Sequence, residues 1–84
     1  MIDFNRVPDE DLYGMCMNGD EGAWQYMYNF ILTICRWDKW NLRDEPEDLA
    51  QEITTYLIEK ALIKVANKNK FKNFVKVMTI NKGK

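Results

Sequence analysis

Apolar residues recur at helical intervals in four stretches of this chain, and each stretch is bounded by residues that start or stop helices. The most completely marked runs from Asp44 to Leu62. Leu49, Ala50, Ile53, Tyr56 and Leu57 fall on one face at about 100° per residue, while Asp48, Gln51, Glu52, Thr55 and Glu59 gather on the opposite side. Asp44 stands where a side chain caps the first turn and Glu47 where one reaches back to complete a capping box. Pro46 lies in the first turn, where its missing N–H costs nothing. The strongest stripe lies upstream: Ala23, Trp24, Met27, Tyr28, Ile31, Ile34 and Cys35 predict a helix from about Glu21 to Trp37. Trp24, Tyr26 and Tyr28 alternate as strand residues do, but the length of the stretch without a breaker favours helix.

The other two stripes are shorter. Residues 1–8 show no periodicity, end in Val7-Pro8 and read as an arm. Asp9, Glu10 and Asp11 then place three acids at a helix start, where they favour the macrodipole, ahead of Leu12, Met15 and Cys16. Asn18-Gly19 is a stop, and Asp20 is placed to cap the next helix at once. Residues 37–45 read as a frayed helix end and a loop, with Trp37 and Trp40 expected to staple it onto the core. Asn67-Lys68-Asn69-Lys70 is a polar loop offering two caps to a last helix whose buried stripe is Phe71, Phe74, Val75 and Met78. The expected fold is all-α, a compact bundle of about four helices, with residues 9–84 forming one domain behind the short arm.

Composition is consistent with folding. Of the 84 residues 46% are hydrophobic, enough for the core of one small domain. No apolar run approaches the roughly 18 residues needed to cross a bilayer, and the first residues lack the form of a signal peptide, so a soluble cytoplasmic protein is expected. Charge adds a new element. Residues 1–52 carry a net charge of -8, and residues 53–84, with eight lysines against Glu59, carry +7. Such a division points to nucleic-acid or membrane contact at the basic end, set against solvated lysines on a surface helix.

Candidate chemistry is sparse. There is no histidine, the four glycines have no phosphate-loop spacing, and Cys16 and Cys35 lack the spacing of a zinc site and read as buried thiols. Asp48 and Glu52 are paired carboxylates on an exposed helix face with no cleft implied. Binding is therefore the expected class, with no catalytic residues, no metal and no cofactor.

The string Glu47-Asp48-Leu49-Ala50-Gln51-Glu52 at the head of a helix, preceded by Asn18-Gly19-Asp20 with Ala23-Trp24 and followed by Phe71-Lys72-Asn73-Phe74 and Asn81, resembles bacterial RNA polymerase sigma factors. The similarity is to the second conserved region, the promoter-melting helical domain, of the extracytoplasmic-function type, and it covers roughly residues 9–82. It implies that Asp48, Gln51, Glu52, Thr55 and Ile58 dock on the coiled-coil of the polymerase largest subunit. Ile58 is otherwise an unexplained apolar residue on the polar side of its helix.

The resemblance further implies that the last helix and the loop before it recognise and melt the minus-ten element and hold its non-template single strand. Lys64, Lys68, Lys70, Lys72 and Lys76 would contact phosphates and Asn73 or Asn81 would read or position bases. An anti-sigma factor is a further implied partner; a membrane is not. The family usually has arginines in the last helix where this chain has lysines and apolar residues such as Val77 and Ile80, and an aromatic common just before the loop is Val65 here. Up to Lys84 the chain shows no counterpart of the family's upstream-reading helix-turn-helix, which leaves two expectations, an excised domain or a one-domain relative. The rival expectation is a small helical interaction module that meets a protein through Trp37, Trp40 and the acidic face without touching DNA.

Overall fold

The four periodic stretches form helices α1 (Asp9–Met17), α2 (Glu21–Cys35), α3 (Pro46–Tyr56) and α4 (Phe71–Gly83) in a computed structural model that describes residues 3–37 and 45–83. No strand occurs among the described residues, and the architecture is an all-α bundle, as the periodicity predicts. No helix among them is long and apolar enough to cross a membrane.

Local chemistry sets the first junction. Gly19 adopts φ 79°, open to glycine without steric cost, and the turn brings the Asp20 N–H to the Met15 carbonyl at 3.0 Å and the Gly19 N–H to the Cys16 carbonyl at 3.1 Å. The Met15 and Cys16 carbonyls near the end of α1 are thereby satisfied. The Asp20 carboxylate then accepts the Ala23 N–H at 2.9 Å as the expected cap of α2, an interaction worth about 1 kcal/mol. One glycine and one aspartate thus end one helix and begin the next.

The core lies between α2 and the other helices. Leu12, Met27, Ile31, Leu49, Ile53, Leu57, Phe71 and Val75 are fully buried, with α3 packed chiefly on α2 and α4 against α2 and α1. Tyr13, absent from the predicted stripe of α1, is buried as well. Its ring meets Phe71 edge-on at 5.4 Å, and its hydroxyl donates to the Leu62 carbonyl at 3.0 Å. That bond permits the burial, because a phenol hydroxyl in a core needs a partner.

Beyond Tyr56 the α3 axis continues as a wide π-helical turn, Leu57–Ala61, and then a 3-10 turn, Leu62–Lys64. Leu57, Ala61, Leu62 and Val65 reach the core, while Ile58 and Ile63 are left 54% and 77% exposed. Chain order does not decide the caps here. Asn67 caps only the 3-10 turn Lys68–Lys70, accepting the Asn69 N–H at 3.1 Å. The first turn of α4 is capped from the other end of the chain: Asp9 accepts the Lys72 N–H at 3.1 Å and holds the Lys72 ammonium at 3.9 Å.

Two expectations are corrected. The buried line of α4 is Phe71, Val75 and Thr79, whereas Phe74 and Met78 are half-buried, because that flank of the helix faces a cavity rather than a neighbouring helix. Thr79 enters the core by donating its hydroxyl to the Val75 carbonyl at 2.7 Å. Glu45, whose side chain makes no capping bond, stands at the N-cap of α3, and the Glu47 carboxylate accepts from Arg36 at 3.1 Å; Asp44, the expected cap, lies outside the described residues. Pro46 does occupy the first turn of α3.

The N-terminal arm folds back on the bundle. Phe4 stacks on Tyr26 at 5.7 Å, and the Tyr26 hydroxyl donates to the Asn5 side chain at 3.2 Å. Gly22 admits this approach, for a Cβ there would stand 3.1 Å from the Phe4 ring.

Candidate partner and nucleic-acid interfaces

Two surfaces emerge from opposite ends of the α3 segment. On its N-terminal part, Leu49, Ala50 and Ile53 turn into the core, and the 100° step leaves Asp48, Gln51, Glu52 and Thr55 exposed on the far side. Ile58 extends the same exposed face from the π-helical turn. All five residues expected to meet a polymerase are therefore open to a partner. Arg36, following α2, reaches across to Glu47 and holds its carboxyl below the usual range, chiefly through the hydrogen bond it donates. The pair ties the first turn of α3 to the end of α2.

At the other end, α3 and α4 touch only slightly, and the gap between them is a cavity of about 530 Å³. Its apolar lining comes from Tyr56, Val65, Phe74, Val77 and Met78. Lys64, Lys70, Asn73 and Asn81, four of the residues expected to contact DNA, contribute to the same wall, and so do Asn67 and Lys82. An aromatic and aliphatic interior edged by cations and amides can accept a planar ring that carries a negative backbone.

Lys68, Lys72 and Lys76 do not line this cavity. The Lys68 ammonium lies 5.4 Å from the Tyr13 ring centroid, and that of Lys72 lies 5.4 Å from the Tyr26 ring while also engaged with Asp9. Lys76, one turn after Lys72, joins a second groove of about 330 Å³ with Tyr26, Phe30 and Trp37. The helical step explains the division, since positions 72 and 76 fall on the opposite side of α4 from 70, 74, 77 and 81.

Residues assigned to the core by periodicity turn out to shape the cavity. Tyr56, Phe74 and Met78 sit on apolar stripes, and their half-burial appears only once the helices diverge. A signal was present in the sequence: Lys70, Asn73, Phe74, Val77 and Asn81 form a mixed apolar and amide flank at helical spacing. Lys82 extends it. Trp37, expected to staple the loop inward, is 42% exposed at the edge of the second groove, and Trp40 lies outside the described residues.

The thiols are placed for packing. Burial, and secondarily the charge of Asp20, pushes Cys16 up from 9.0 to about 12, and burial pushes Cys35 up from 9.0 to about 11. Both are expected to resist Ellman's reagent at pH 8 until denaturant is added, because the thiolate is the reactive form. Since folding raises both values, their contribution to stability is fully present below pH 9 and is lost as pH rises from there toward 11 and 12. A urea midpoint that falls across that range is the corresponding measurement. Among the described residues no three His, Cys, Asp or Glu side chains gather as a metal site would require.

Compared with models of known protein families, with curated proteins and with solved structures, the chain matches none.

Proposed function

We propose that this chain acts as a sigma-factor second region, binding core RNA polymerase and engaging the melted minus-ten element of a promoter in transcription initiation, without covalent chemistry of its own. The observation that carries the reading is the cavity at the α3–α4 junction, where Phe74 and Tyr56 stand among Lys64, Lys70, Asn73 and Asn81. A single strand needs both features, ring faces for its bases and cations for its phosphates. The exposed face of Asp48, Gln51, Glu52, Thr55 and Ile58 is the docking surface for the largest-subunit coiled-coil. Its charged residues, Asp48 and Glu52, belong to the acidic half of the chain, and the lysines that receive DNA follow Thr55 and Ile58, so like charges do not compete for one site. Lys68, Lys72 and Lys76 serve as outlying phosphate contacts.

Binding of a fluorescent single-stranded oligonucleotide to the chain is expected to weaken with salt. Three phosphate contacts from Lys64, Lys70 and Lys82 give a slope of about 2 log units of affinity per log unit of salt. A flat response in an anisotropy titration rejects the electrostatic part of this reading.

A helical protein-interaction module that does not touch DNA is the second reading, favoured by the exposure of Trp37 beside the second groove. Co-purification with core polymerase, together with oligonucleotide binding, separates the two.

A further inference from the structure

The cavity contains an aromatic face that is already covered. Tyr56, the last residue of α3, is half-buried, and the Lys82 ammonium lies 3.6 Å from the centroid of its ring. This is much closer than the 5.4 Å of the pairs on Tyr13 and Tyr26, neither of which lines the cavity. At that distance the ammonium rests on the π face, where a planar ring would otherwise stack.

We propose that Tyr56 is a stacking platform for a base of single-stranded nucleic acid and that Lys82 is its exchangeable cover, leaving the ring for a backbone phosphate when the base arrives. This deepens the reading of the cavity as a nucleic-acid site and rests on it. Position 65, on the cavity wall, holds an aliphatic valine, so the aromatic surface must come from Tyr56 and Phe74. Lys82 is exposed on the last turn of α4, where its flexible stem can swing without opening the core. Base stacking on an aromatic ring outweighs an exposed cation–π contact, and the displaced ammonium gains a phosphate in exchange. Until a strand arrives, the same ammonium keeps the ring face from lying bare to water.

The exchange predicts salt curves that cross. A labelled single-stranded thymidine octamer is titrated into wild-type protein, Lys82→Ala and Tyr56→Leu from about 0.05 to about 0.5 M salt. Lys82→Ala loses one phosphate contact, so its salt slope is shallower by about 0.7 and it binds more weakly at low salt. Having lost the cover, it binds about two- to fivefold tighter than wild type at high salt. Tyr56→Leu weakens binding by roughly tenfold across the range.

In the wild-type protein, the Lys82 ε-methylene protons are ring-current shifted in NMR spectra and return toward ordinary values when the octamer saturates the site. This second readout does not depend on how either variant folds. Lys82→Ala curves that stay below wild type at every salt concentration, or Lys82 protons that remain shifted in the complex, overturn the exchange while leaving the cavity as the binding site. No binding of the octamer by wild-type protein overturns both.

Discussion

Replacing Phe71 with alanine is expected to destabilise the protein by about 3–5 kcal/mol, the range for removing a fully buried aromatic ring. Phe71 is inaccessible to solvent, opens α4, and packs edge-on against Tyr13, whose hydroxyl in turn holds the Leu62 carbonyl at the end of the α3 segment. A cavity there loosens contact between the first, third and last parts of the chain. A domain of this length has a total stability of about 4–12 kcal/mol, so the substitution removes from about a quarter to all of it. Urea denaturation followed by circular dichroism measures this directly. Only a small fall in the midpoint would mean that the Tyr13–Phe71 contact is peripheral to the core.

The second large effect is on binding. Changing Gln51 and Glu52 together to alanine is expected to lower affinity for core RNA polymerase by about 30-fold or more, the loss typical of residues at the centre of an interface. Both side chains are exposed on α3, and Leu49, Ala50 and Ile53 behind them remain in the core, so helicity and melting temperature should stay close to wild type. A competition assay against labelled wild-type chain reads the affinity. Undiminished binding by a folded double variant removes the docking role from this face.

The two outcomes differ because the residues differ in how they were legible. Gln51 and Glu52 could be placed outward from the 100° step alone, since Leu49 and Ile53 fix which side of α3 is buried. The partner proposed for them was suggested only by the string Glu47 to Glu52. Tyr13 and Thr79 were not legible as core residues. Each carries a hydroxyl whose burial depends on one carbonyl, and whether the fold brings that carbonyl within reach cannot be read from spacing. The lysines show the same limit. Eight cations in the last 32 residues were visible as a group, yet the sequence did not separate Lys64 and Lys70 at the cavity from Lys72, held by Asp9 and Tyr26.

What the sequence by itself determined was local: four helices, the stop at Gly19, the cap at Asp20, Pro46 in the first turn of α3, and the buried face of that helix. These follow from interactions within a few residues, where backbone conformation and the 3.6-residue turn leave few alternatives. The tertiary structure decided what depends on distant groups meeting. Asp9 caps α4 from 63 positions away, the arm settles on Tyr26 across Gly22, and the slight contact of α3 with α4 opens the cavity in which Tyr56 and Lys82 pair. Helix packing sets which flank of α4 is filled by a neighbour and which is left open, and it turned Phe74 and Met78 from expected core residues into half-buried walls of a cavity.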